Sequence, residues 1–214
     1  MAIVTSGPFL GFSGTVDGIT YYPLPDGRTC AKRKNRPSSV PPTHLQLVNR
    51  ADTTLVATFM KSFKEFISVG YQLEAKKNHQ NPHNMMVKYI RKNAIEGIYP
   101  NRKINVAKVL VANGTLPGAA ETSVTVTEKG LTFKWSTELV PRLSDYSDQV
   151  MMLAYFPEIR ETTYVLAGAH RYVGTDSLYL TGVKRGLRAE VYISFITNDH
   201  SSISDSVYLG QYNW

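Results

Sequence analysis

Five cations fall within the nine residues Arg28-Thr-Cys-Ala-Lys-Arg-Lys-Asn-Arg36. Side chains of this kind contact phosphate oxygens, and Tyr21, Tyr22 and Phe12 lie near enough in sequence to stack on bases. Arg28, Lys32, Arg33, Lys34 and Arg36 are therefore candidate contacts to phosphate or to an acidic patch. The same run suits a solvated edge strand, where lysines discourage unwanted pairing, or a charged arm laid on an acidic surface of a neighbouring subunit. No helix-turn-helix, RNA-recognition or zinc-finger signature accompanies it, so sequence-specific recognition has no support. Neighbouring cations would activate the Cys30 thiol, but no histidine stands beside it, and it reads as a half-buried strand residue.

Other chemistry-bearing residues give weaker patterns. His79 and His83 have the four-residue spacing of two zinc ligands on one helical face. Pro82 lies between them, the flanking residues read as loop, and no cysteine or carboxylate falls within four residues of either. Closely spaced glycines at the start invite a phosphate loop, yet neither Gly-Lys-Ser/Thr nor Gly-x-Gly-x-x-Gly occurs. Gly11-Phe-Ser-Gly14 misses the nucleophile-elbow spacing by one residue. Glu158 with Glu161, and Asp145 with Asp148, sit in turn-like polar segments rather than as opposed catalytic carboxylates. No catalytic set, metal site or cofactor motif emerges, and an enzyme is not expected.

The elements that must carry these residues are bounded by composition. A chain of 214 residues makes one large domain or two small ones, and 43% apolar against 19% charged residues excludes disorder. No apolar run approaches the roughly 18 residues of a membrane span. The start, Met1-Ala-Ile-Val-Thr-Ser, has no secretory pattern, and the single cysteine cannot form an internal disulfide. Synthesis in the cytoplasm is expected, with release in an extracellular particle or filament compatible with it. The net charge of +7 hides an asymmetry. Residues 1–110 carry 16 Lys and Arg against 6 Asp and Glu, whereas residues 111–214 carry 8 against 11. A basic half joined to a mildly acidic half points to two surfaces with different partners.

Residues 1–42 read as a glycine-rich β-arm with a basic linker. Ile19-Thr-Tyr-Tyr22 is one strand, Pro25-Asp-Gly27 a reversal and Arg28–Lys34 the returning strand. Its apolar residues Phe9, Leu10, Phe12, Val16, Ile19, Tyr21 and Tyr22 are the candidate subunit contacts. Residues 43–104 read as helical. Thr43 with Gln46 forms a capping pattern before an apolar stripe running to about Ser68, Gly70 is a stop, and a second helix spans about Asn84 to Ile95. From residue 105 the period becomes two. The expected strands are Val106–Val111, Ser123–Thr127, Leu131–Ser136, Gln149–Phe156, Thr162–Ala167, Ser177–Thr181, Ala189–Thr197 and Ser206–Tyr212. Short strands separated by turns predict an antiparallel immunoglobulin- or fibronectin-like β-sandwich over 105–214, and an α+β chain overall.

Gly11-Phe-Ser-Gly-Thr-Val, the Tyr-Tyr strand, Gly27-Arg28, the basic proline-containing linker and Thr43-x-x-Gln46-x-x-x-Arg50 together resemble a Bacteroidota family. Its members are domain-of-unknown-function proteins of ~200 residues, a size for one domain or two small ones. Leu131-Thr-Phe-Lys-Trp135 and Asp148 before an apolar strand extend the resemblance to the C-terminal half. It implies an architecture and no activity, substrate or catalytic residue. The expectation is a non-enzymatic structural subunit that self-assembles through its arm into a filament, appendage or virus-like particle, hence a homo-oligomer. The alternatives are a basic nucleic-acid-binding protein and a carbohydrate- or protein-binding sandwich module.

Overall fold

The computed structural model describes every residue except 1, 25, 26, 35–38, 119 and 142. Pro25 and Asp26 of the expected reversal, and Arg36 of the basic run, therefore lie outside the described residues. The chain is α+β with several antiparallel sheets, and it divides into two compact units, residues 1–43 and 44–214.

The first unit is a four-stranded antiparallel sheet rather than a lone hairpin. Its strands are β1 (Ala2–Val4), β2 (Gly14–Val16), β3 (Ile19–Pro23) and β4 (Thr29–Arg33), in the order β1-β4-β3-β2. The register pairs Ile3 with Cys30, Cys30 with Tyr22, and Val16 with Ile19. A hairpin alone is marginal in water, and the two extra strands give this small unit more paired backbone.

The second unit begins with helices α1 (His44–Met60), α2 (Lys64–Gly70), α3 (Gln72–Lys77) and α4 (Pro82–Asn93). Two helices were expected, and the first of them is interrupted. Residues 61–63 tighten into a 3-10 turn, where the Ser62 hydroxyl meets that of Thr162 at 2.7 Å. Gly70 closes α2 where a side chain could not stand, because a Cβ there would lie 2.6 Å from the Val111 carbonyl oxygen. At α4, Pro82 occupies the first turn and the Asn81 side chain accepts from the His83 amide at 2.8 Å.

Beyond the short pair β5 (Ile95–Glu96) and β6 (Lys103–Ile104), two larger sheets form. Their strands are β7 (Ser123–Val126), β8 (Gly130–Lys134), β9 (Gln149–Phe156), β10 (Glu161–Val165), β11 (Thr175–Tyr179), β12 (Arg188–Ile196) and β13 (Val207–Asn213). One sheet has the order β10-β9-β12-β13 and the other β11-β8-β7. Leu131, Phe133 and Trp135 share a core with Val150, Met152, Ala154, Val191, Ile193 and Phe195, so these sheets face one another. The opposite side of β9 and β12, with Met151, Leu153, Tyr155 and Tyr192, packs on Phe59, Phe63, Phe66 and Ile90 of the helical layer. β9 and β12 are thus buried on both faces, which explains their unbroken apolar runs.

One expected strand is absent. Val106–Lys108 is a 3-10 turn and residues 109–111 are not strand. Asn105 caps the turn by accepting from the Ala107 amide at 3.1 Å. The backbone that a partner strand would have paired is met by side chains instead. Tyr192 donates to the Val106 carbonyl at 2.7 Å, Tyr71 donates to that of Leu110 at 2.9 Å, and Ser206 accepts from the Val111 amide at 2.8 Å.

Candidate assembly surface

Side chains alternate across a strand, so the registers of the arm sheet assign its two faces. Val4, Thr29, Ala31, Arg33, Tyr21, Ile19 and Val16 share one face, and Ile3, Cys30, Tyr22, Thr20, Lys32 and Thr15 share the other. The Thr15 and Thr20 hydroxyls meet on the second face at 3.0 Å. There a hydrogen bond with Cys30 holds the Tyr22 phenol above its ordinary pKa, with desolvation adding to the effect.

Residues 7–12 fold over the first face. Phe9 stacks on Tyr21 at 5.6 Å between ring centroids, and Phe12 meets the same ring edge-on at 5.5 Å. The Gly11 amide donates to Thr29 Oγ1 at 2.7 Å, from a backbone with φ +77° that favours glycine. Thr29 is buried, yet Phe9 stays 50% exposed and Phe12 39%, with Leu10, Val16 and Ile19 exposed beside them. The unit is too small to cover its own apolar residues. β1 and β2 are the outer strands, and among the described residues no strand pairs with their outer edges.

The contact residues read from the sequence are brought together in part. Phe9, Phe12 and Tyr21 form one cluster, and Val16 and Ile19 lie on the same face, whereas Tyr22 points to the other. The cations separate as well. Arg33 is cross-strand from Ile19 on the first face, and Lys32 lies opposite Thr20 on the second. The Lys34 amide bonds to the Gly18 carbonyl at 2.7 Å, and the Arg28 carbonyl accepts from the Leu24 amide at 2.7 Å. Period-two geometry thus distributes the basic run over both faces instead of along one stripe.

A second surface lies at one end of the facing sheets, and the sequence reading did not single it out. Two turns meet there, residues 143–148 and 170–174. Beneath them Arg171 and Asp148 are both buried, with Arg171 Nε donating to Asp148 Oδ2 at 3.1 Å. The guanidinium also donates to the Pro117 carbonyl at 2.9 Å and lies 4.1 Å from the Phe195 ring centroid. Burial lowers the Arg171 pKa from its ordinary value, and Asp148 opposes that shift. Trp135 Nε1 donates to the Arg171 carbonyl at 2.8 Å. The ends of the turns are tied as well. Asp145 accepts from the Ser147 amide and hydroxyl at 2.8 and 2.7 Å, and the His170 Nδ1 lies 2.9 Å from the Ser147 carbonyl. On this base Tyr172 is 59% exposed and Leu143 62%, and Val140, Tyr146 and Val173 are exposed too. Tyr172 stacks on His170 at 5.8 Å.

The imidazoles are dispersed. His79 sits in the turn before α4 and His83 in its first turn. Among the described residues no three of His, Cys, Asp and Glu gather where they could hold a metal ion. Among the described residues no helix is long and apolar enough to cross a membrane. Asp148 departs from its reading as a polar turn residue, because its partner stands 23 positions away and no local pattern announces the pairing.

Comparison with curated proteins finds no match, and neither does comparison with solved structures. A family model described as a family of unknown function, DUF6266, matches residues 13–210, from the second strand of the arm to the last strand of the chain. That span covers most of the chain, including the second surface and the arm from residue 13 onward: the protein belongs to the DUF6266 family.

Proposed function

We propose that this chain is a non-enzymatic structural subunit that self-assembles through its N-terminal arm. The observation that carries the reading is the arm itself, a separate small unit that leaves Phe9, Leu10, Phe12, Val16 and Ile19 exposed on one face and two strand edges unpaired among the described residues. Exposed aromatic clusters with adjacent open edges are how chains recognise other chains, through apolar burial and added strands. The proposed product is a repeating homo-oligomer, as in a filament, appendage or virus-like particle. The two facing sheets read as an immunoglobulin- or fibronectin-like sandwich serving as the rigid body of the subunit. Removing residues 1–36 tests the arm: the assembled mass collapses to that of one chain while the far-ultraviolet spectrum keeps its helical and β signals. Unchanged mass would contradict the reading.

A polyanion-binding reading draws on a different observation. Asn84, Lys88, Arg91 and Lys92 of α4 line one shallow depression, with Arg91 anchored to Asn49 of α1 at 2.6 Å. Its test is retention on DNA and RNA as a function of salt, since phosphate contacts weaken steeply as salt rises. Charge-neutral replacements at Lys88, Arg91 and Lys92 would abolish retention under this reading and leave the assembled mass unchanged.

A further inference from the structure

We infer that the arm docks on a second copy of this chain at the turns 143–148 and 170–174, with the apolar arm face covering Leu143, Tyr146, Tyr172 and Val173. This rests on the arm-mediated assembly proposed above and assigns it a receptor.

Three observations favour this receptor. The first is apolar exposure on both sides. The arm presents Phe9, Phe12, Val16 and Ile19, and the turns present Leu143, Tyr146, Tyr172 and Val173, all exposed. Contiguous apolar exposure of this kind marks interaction sites, and tyrosine is enriched in their cores.

The second is charge. Residues 28–36 carry five cations and no carboxylate, whereas Glu138 and Asp145 stand beside the turns against Arg142, the Asp148 carboxylate being buried in its pair with Arg171. Glu138 and Asp145 are exposed, and Asp145 keeps its negative charge because the Ser147 amide and hydroxyl both donate to it. On the arm, Arg33 shares the face that carries Ile19 and Tyr21, so its cation borders the apolar residues. Opposed charges at the rim fix the register of such a contact and speed its formation.

The third is rigidity. The Arg171–Asp148 pair, the Trp135 indole and Gly174 at φ +74° fix the two turns from beneath. A surface already fixed loses little conformational entropy when it is covered. The two patches differ from each other, so the contact is head-to-tail, and repeating it gives a ring or an open filament.

The test uses two full-length variants, each defective at one patch. Phe12→Glu places an acid against the acidic turns, and Tyr172→Lys places a cation against the basic arm. Both positions are exposed, and circular dichroism with a thermal melt verifies that each variant folds. The native chain is expected to assemble, and each variant alone is expected to have the mass of one chain. Mixed in equal amounts, they are expected to form species of at least twice that mass. The intact turns of the first variant accept the intact arm of the second, and the two altered patches, one acidic and one cationic, no longer repel each other. Val16→Glu and Leu143→Lys repeat the design at second positions. If Tyr172→Lys and Leu143→Lys assemble like the native chain while Phe12→Glu does not, the receptor is wrong and the arm reading survives. A native chain that is a monomer overturns both.

Discussion

Arg171 and Asp148 form an ion pair at 3.1 Å with both side chains buried, directly under the exposed Tyr172. Removing one partner strands the other charge away from water, which typically costs about 3–5 kcal/mol. Asp148→Asn and Arg171→Met are each expected to lower stability by about that amount. The double variant Asp148→Leu/Arg171→Met is expected to recover part of the loss, because no charge is then stranded. Urea unfolding of the three variants checks this, and a double variant whose loss equals the sum of the singles would refute it.

The core between the two sheets makes a second prediction. Phe133 is fully buried among Leu131, Trp135 and the residues of β9 and β12. Phe133→Ala is expected to destabilise the protein by about 3–5 kcal/mol through lost burial and a residual cavity. Val126 on β7 is exposed, and Val126→Ala is expected to change stability by less than about 0.5 kcal/mol. Chemical denaturation distinguishes the two.

Acid should act on the receptor turn in a defined direction. Hydrogen bonds from the Ser147 amide and hydroxyl hold Asp145 below its ordinary pKa. A lowered carboxyl contributes fully above its unfolded value of about 4, and the contribution is lost as pH falls through the lowered value. Protonation also removes the charge that faces the arm. Assembled mass should therefore stay constant from about pH 8 to 5 and fall below about pH 4. A decline already complete near neutrality would contradict the assignment of Asp145.

Alkali should act on the body of the subunit. Burial raises the pKa of Tyr71, Tyr192 and Tyr208, and Tyr164 is pushed up to about 12 by burial first and its bond to Glu65 second. A raised phenol contributes stability that is whole below its unfolded value of about 10 and is lost as pH rises through the folded value. The melting temperature should begin to fall above about pH 10, and part of the phenolate absorbance should appear together with unfolding. A gradual titration of all phenolate signal in the folded protein would contradict this.

β9 and β12 were legible because they are buried on two sides. Gln149–Phe156 reads directly from the sequence as a strand, since alternate residues serve the helical layer and the facing sheet. Residues 106–111 read as strand because the period becomes two from residue 105, but the side chains of Tyr192, Tyr71 and Ser206 take up their backbone groups. α3, at six residues, is too short to display a period, and β1 and β2 are three residues each. The arm's aromatic residues were visible in the sequence as a surface. The exposed turns at Tyr146 and Tyr172 were not, because their display depends on a buried Arg171–Asp148 pair joined across 23 positions. Pairing of that kind is a property of the fold, and composition carries no trace of it.

Light scattering behind a sizing column, on nuclease-treated protein at low salt, tests whether the chain assembles with its own copies. A mass well above the 23.9 kDa of one chain is expected, falling to that value when residues 1–36 are removed. A single species at 23.9 kDa for the intact chain would contradict it.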